Sequence, residues 1–109
     1  MSVRFGVLVL QVMPYEGMLN SVRFVESIGL DNAWVADQIG IPSKPDMPFL
    51  EAWTTLAGLA RDTRRIRLGT MVTNVAMRNP VQLAKSVLTV DQLSGCRVYL
   101  VAGAGYFPV

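Results

Sequence analysis

The sequence predicts an α/β protein in which short parallel strands alternate with helices. Two observations carry this. Four apolar runs begin near residues 3, 32, 66 and 97, about one strand–helix unit apart. The stretches between them show helical spacing of apolar residues, with start and stop signals. Strands separated by helices pair in parallel, because a parallel partner is reached only by a crossover. Four strands and three helices are expected in one domain covering residues 1–109.

The first strand is read in Val3 to Gln11, a short, nearly continuous apolar run. Pro14 and Gly17 mark a loop, and a helix follows from Met18 to Ile28, with Gly29 as its stop. Asn32 to Ala36 is the second strand, ending at Asp37 and Gln38. The stretch 39–47, with Gly40, Pro42 and Pro45, is a loop. Pro48 is expected to open a helix reaching Ala60, its stripe formed by Leu50, Trp53, Leu56, Ala57 and Ala60, with Glu51 in the first turn. Ile66 to Thr73 is the third strand and 75–78 a loop. Asn79 is a natural N-cap and Pro80 fits the first helical position of a helix that ends at Ser94-Gly95. Arg97 to Ala102 is the fourth strand, and Gly103 to Val109 its turn.

Composition narrows the function classes. Half of the chain is hydrophobic (51%) and 17% is charged, below the ~25% of average proteins, so disorder is not expected. The excess apolar content implies elements buried on more than one face, or a surface that meets a partner. A net charge of +2 points to neither nucleic acid nor a membrane surface. Arg61, Arg64, Arg65 and Arg67 read as a solvated helix end. The single cysteine, Cys96, forms no internal disulfide and fits a cytoplasmic setting. Neither a signal peptide nor a membrane span is legible. With no histidine, the commonest metal ligand and general base are missing, so no metal site is expected. Trp34 and Trp53 are expected in the core.

Several residues admit two readings. Thr70, Thr73 and Asn74 are either ligand-facing or a polar strand end and turn. Gly103-Ala104-Gly105 is either a place of close ligand approach or a plain turn. Asp37, Asp46 and Glu51 offer carboxylates at one rim. Cys96 is a nucleophile or, more simply, a buried or incidental thiol.

Four segments resemble the bacterial luciferase-like monooxygenases and their deazaflavin-dependent relatives. They are Gly29-Leu30-Asp31-Asn32-Ala33-Trp34-Val35-Ala36-Asp37, Ile66-Arg67-Leu68-Gly69-Thr70-Met71-Val72-Thr73-Asn74, Arg78-Asn79-Pro80-Val81-Gln82-Leu83-Ala84-Lys85, and the stretch from Asp91-Gln92-Leu93-Ser94-Gly95-Cys96-Arg97-Val98 to Gly103-Ala104-Gly105-Tyr106. The resemblance implies a (β/α)8 (TIM) barrel of roughly 250 residues, of which this chain supplies a partial barrel, the N-terminal portion. It implies a flavin- or deazaflavin-dependent oxidoreductase of monooxygenase type, with FMN or a deazaflavin coenzyme as cofactor and a small-molecule substrate. The site is then placed at the carboxyl ends of the strands, at Gln11, Asp37-Gln38, Met71 to Asn74 and Gly103 to Tyr106. Asp37 and Gln38 are the catalytic candidates. Thr70, Met71, Val72, Thr73, Asn74 and Gly103 are the cofactor-binding candidates. The resemblance also implies a non-proline cis peptide near Met71-Val72.

The chain departs from the family pattern in three places. Gln38 stands where many relatives have a histidine. Cys96 replaces a second glycine, and Val101 a small residue. A partial barrel has unpaired edges, so self-association into a dimer or higher homo-oligomer is expected. Two alternatives stay open: a cofactor-free oligomer hydrolysing an activated ester or phosphotriester with Asp37, Lys44, Cys96 and Tyr99, and a non-catalytic fragment.

Overall fold

A computed structural model describes residues 2–105. Tyr106 and the rest of the expected terminal turn lie outside the described residues. The elements, in order, are β1 (Gly6–Leu8), α1 (Tyr15–Ser27), β2 (Asn32–Val35), α2 (Ala52–Asp62), β3 (Arg67–Thr70), β4 (Thr73–Asn74), a 3-10 turn (Val75–Met77), α3 (Pro80–Ser94), β5 (Val98–Tyr99) and β6 (Ala102–Gly103). The sheet order is β1-β2-β3-β5, parallel throughout, with β4 and β6 forming a second parallel pair.

The side chains alternate between two faces, as strand geometry requires. Val7, Val9, Ala33, Val35 and Leu68 turn toward the helices. There they meet Met18 and Val22 of α1, Trp53, Leu56 and Leu59 of α2, and Leu83 and Val90 of α3 in one apolar core. Among the described residues, no helix covers the other face. Trp34 lies across it, stacked on Tyr99 with ring centroids 5.7 Å apart and 16° between planes. The expectation that both tryptophans are core residues therefore holds for Trp53 only. Trp34 is the third residue of β2, between Ala33 and Val35 of the helix-facing side, and is turned to the open side. It can lie flat only because Gly69 has no side chain: a Cβ there would stand 2.8 Å from the indole and 2.6 Å from the Tyr99 carbonyl.

Several boundaries differ from the sequence reading, each for a local reason. α1 begins at Tyr15, before Gly17, because the Gly17 and Met18 amides already bond the Pro14 carbonyl. α2 begins at Ala52, four residues after Pro48. Glu51 is its N-cap, its carboxylate accepting from the Trp53 and Thr54 amides, while Leu50 stays extended and donates to the Gln11 carbonyl. The third strand is interrupted at Met71-Val72 and resumes as β4. The fourth strand breaks in step, and β6 pairs with β4.

Two polar staples close the end of the sheet from which the strands start. Glu26 Oε2 accepts from the amides of Arg64, Arg65 and Ile66 at 2.7–3.1 Å. The Arg97 guanidinium donates to the carbonyls of Ser94, Ala60, Thr63 and Ile66. Arg65 adds bonds to the carbonyls of Glu26 and Leu30, so it is more than a solvated helix-end charge.

α3 starts with the expected cap, Asn79 accepting from Val81 and Gln82 amides, and Gly95 ends it in the left-handed region. Cys96 follows at φ 68°, exposed, in a conformation that a side chain disfavours. Cys96→Gly should therefore raise stability by about 0.5–1 kcal/mol, once the extra unfolded-state freedom of glycine is set against the relieved strain. Urea denaturation read by circular dichroism checks this, and a lower midpoint would contradict it.

Candidate functional site

The carboxyl ends of the strands converge on one guanidinium. Asp37 lies two residues beyond the end of β2, and its side chain is 2% exposed. Arg78 Nε donates to Asp37 Oδ2 at 3.0 Å, while Nη2 pairs with Oδ1. The Asn74 amide also donates to Oδ2, at 2.8 Å. From its other side Arg78 Nη2 reaches Glu51 Oε2 at 3.0 Å. Of the three carboxylates expected at one rim, Asp37 and Glu51 meet around Arg78, while Asp46 is exposed in the 39–47 loop and takes no part in these ion pairs.

The charges explain the arrangement. Arg78 precedes α3, whose N-terminus carries positive partial charge, so a cation there needs anionic partners. Hydrogen bonding to Asp37 raises the Arg78 pKa further, against the opposing effect of burial. Partial burial disfavours the Glu51 anion, but the Thr54 hydroxyl and amide, Arg78 and the Trp53 amide outweigh it, bringing its pKa down to about 2. Sequence reasoning missed Arg78 as a site residue. The available signal was its unfavourable place directly ahead of a helix start.

The candidate cofactor contacts divide into two groups. The hydroxyls of Thr70 and Thr73 are fully buried and bond one another, and that of Thr73 receives the Trp53 indole N–H at 3.2 Å. They are committed to the wall. Met71 and Val72, joined by a cis peptide bond as the resemblance implies, are 52% and 40% exposed and form an apolar ledge. Asn74 Oδ1 caps the following 3-10 turn by accepting from Ala76. Gly103 lies beside Asn74 in the β4–β6 pair, where a Cβ would run into the Val72 side chain. Gln38 lines a cleft of about 350 Å³ together with Asp37, Ile39, Phe49, Met77 and Arg78. Gln11 is buried and stitches β1 to β2: its side-chain oxygen accepts from the Ala36 amide, and its nitrogen donates to the Ala36 carbonyl.

Residues 3–109 match the family model of luciferase-like monooxygenases. The chain belongs to the luciferase-like monooxygenase family. A 5,10-methylenetetrahydromethanopterin reductase of Methanolobus tindarius is 31% identical over 93% of this chain and 28% of its own length. The coenzyme F420 dependent tetrahydromethanopterin reductase of Methanopyrus kandleri superposes with a TM-score of 0.85 at 25% identity, over 97% of this chain and 28% of that one. The oxygenating constituent of a 3,6-diketocamphane monooxygenase from Pseudomonas putida, solved with FMN, shares the fold at a TM-score of 0.82 and 19% identity, over 98% and 31% of the two chains. This luciferase-like chain thus spans less than a third of the length of these relatives. The parallel sheet with helices on one face is an arc of their TIM barrel.

The four groups of the alternative hydrolase reading do not meet. Cys96 precedes β5 and Asp37 follows β2, so parallel strands hold them at opposite ends of the sheet. Tyr99 lies on the open face against Trp34, and Lys44 sits in the 39–47 loop. Nothing in the comparisons supports that activity.

Glu51 gives the site a pH signature. Its folded-state pKa lies near 2, below the ordinary 4.5, so its contribution to stability is complete above about pH 4.5 and fades as pH falls toward 2. Glu51→Gln should flatten the acid limb of the stability–pH curve in that window. A residual slope should remain from Glu26, whose pKa is also lowered. An unchanged limb in the variant would contradict the capping geometry.

Proposed function

We propose that this chain supplies the ring-binding wall of a deazaflavin- or flavin-dependent oxidoreductase. The observation that carries the reading is the exposed Met71-Val72 ledge at the carboxyl end of β3, bordered by Gly103 and at the same end of the sheet as the cleft at Gln38. A TIM barrel uses this end of its strands for chemistry. A tricyclic ring suits an apolar ledge with exposed backbone. The phosphate end of such a cofactor is not served here, because the Nε and Nη2 donors of Arg78 are committed to two carboxylates. When bound, the cofactor would supply hydride transfer. An F420-type deazaflavin is favoured over FMN, because the F420 dependent reductase is 25% identical and the FMN-bound comparison shows the fold alone.

Within this reading each residue has a limited task. Met71 and Val72 support the ring. Thr70 and Thr73 hold the wall behind it through Trp53, and the Asn74 amide, bound to Asp37, fixes the tip. Gln38 orients a substrate by hydrogen bonding, since an amide can donate and accept but cannot carry a proton near neutral pH. Asp37, its oxygens engaged by Arg78 and Asn74, is a positioning residue.

Titration with F420 and with FMN, followed by tryptophan fluorescence and visible difference absorbance, should show saturable binding. The expected Kd is on the order of 0.1–1 mM, weak because one wall buries only part of the ligand, with F420 the tighter of the two. Gly103→Ala, by displacing Val72, should weaken F420 binding by roughly tenfold. No saturation by either compound at millimolar concentration would overturn the proposal.

A further inference from the structure

The cleft at the rim holds one donor that the ion pairs leave over. Arg78 presents its N–H groups in a rigid, planar fork. Nε and one Nη2 hydrogen face Asp37 from the side, Nε at 3.0 Å from Oδ2. The second Nη2 hydrogen reaches Glu51 Oε2 at 3.0 Å, off the end of the fork. Nη1 donates to no group among the described residues. Because the fork is planar, the end-facing N–H of Nη1 runs parallel to the Nη2 bond. It opens beside Glu51, where both residues line the cleft of about 350 Å³.

The charge around this donor decides what it accepts. Two carboxylates, Asp37 and Glu51, flank one guanidinium, and no other ionisable side chain lines the cleft among the described residues. One negative charge is left over. Glu51, with its side chain 51% exposed, is ionised above about pH 2. Its Oε1 accepts from the Thr54 amide and hydroxyl, and its Oε2 from the Trp53 amide and Arg78. An anion on Nη1 would stand next to this carboxylate and be repelled. An uncharged oxygen meets no such cost. Ile39, Phe49 and Met77 add apolar wall. The volume lies at the small end of the range for small-molecule sites, about 300–1,000 Å³.

We propose that Arg78 Nη1 and Glu51 set the ligand selectivity of this rim. Nη1 holds the oxygen of a compact, uncharged acceptor, such as a carbonyl or amide. Glu51 turns away carboxylates and phosphates of the same shape. That this ligand is the substrate rests on the cofactor wall proposed above, whereas the recognition stands on the cleft alone.

Three probes of nearly one shape test this without cofactor: acetophenone, benzoate and benzylammonium. Each is titrated at about 50 mM salt. The amide resonances of Gln38, Ile39 and Met77 and the Arg78 Nη1 resonance are followed. Acetophenone should saturate with a Kd on the order of 1–10 mM and shift Nη1. Benzoate should bind at least about tenfold more weakly. Benzylammonium, which has no acceptor, should bind no tighter than acetophenone and leave Nη1 unmoved. Glu51→Gln should narrow the gap between acetophenone and benzoate by about threefold or more. Should that variant fail to fold by circular dichroism, the wild-type titrations decide. The proposal is overturned by benzoate within tenfold of acetophenone, by benzylammonium as the tightest probe, or by acetophenone bound with Nη1 unmoved. An unchanged gap in folded Glu51→Gln, or no saturation by any probe up to its solubility, overturns it equally. Probe selectivity without F420 binding would defeat the cofactor reading alone. F420 binding without probe selectivity would defeat this one alone.

Discussion

The rim of this half-barrel depends on one buried ion pair. Asp37 is nearly sealed from water, and a carboxylate in such a place persists only with a partner. Removing one member of a buried pair typically costs about 3–5 kcal/mol, because the other charge is left uncompensated. Arg78 supplies the partner, and its own position ahead of α3 makes it need anions in return. The pair then recruits its neighbours. Glu51 joins Arg78 and fixes where α2 begins. The Asn74 amide joins Asp37 and fixes where β3, after its interruption, resumes as β4. Three connections that chain geometry would leave independent are set by four charge-assisted contacts.

The two ends of the sheet solve their polar problem differently. At the starting end, Glu26 and Arg97 are spent on backbone amides and carbonyls, which ties the helix ends to the sheet. At the finishing end, the polar groups also satisfy one another, but they hold an exposed apolar ledge between them. This asymmetry, with stapling at one end and a held surface at the other, matches the division of labour in TIM barrels between stability and chemistry. It also explains why Thr70 and Thr73 are buried. A wall that must stand beside a ligand is braced from behind, here by the Trp53 indole.

Much of this was legible in the sequence. The four strands, three helices, parallel pairing, Asn79-Pro80 start and Gly95 stop follow from periodicity and cap chemistry, which are local. The start of α2 was not, because Pro48 and Glu51 each satisfy helix-start rules, and the choice is made by Gln11 and Arg78 from elsewhere in the chain. The broken third strand was hidden for a similar reason: Met71-Val72 continues an apolar run, while the resumption as β4 rests on partners elsewhere in the chain, Asp37 and β6. Trp34 shows a further limit. Alternation places it on one of two faces, and only the tertiary arrangement says which face the helices cover. At the site, the residue types at the strand ends were readable. Their commitments were not: the Thr70–Thr73 contact and the Asp37–Arg78 pair depend on side-chain direction.

The central claim is that the Asp37–Arg78 pair holds the strand tip. The Asn74 amide reports on it, since its hydrogen bond goes to the Asp37 carboxylate. Native-state hydrogen exchange should show this amide protected in the wild type. In Arg78→Met its protection should fall by about tenfold or more, while the Leu68 amide, bonded to the Arg97 carbonyl within the sheet, keeps its own. Equal protection of Asn74 in the two proteins, or a uniform loss at Asn74 and Leu68 alike, would contradict the account.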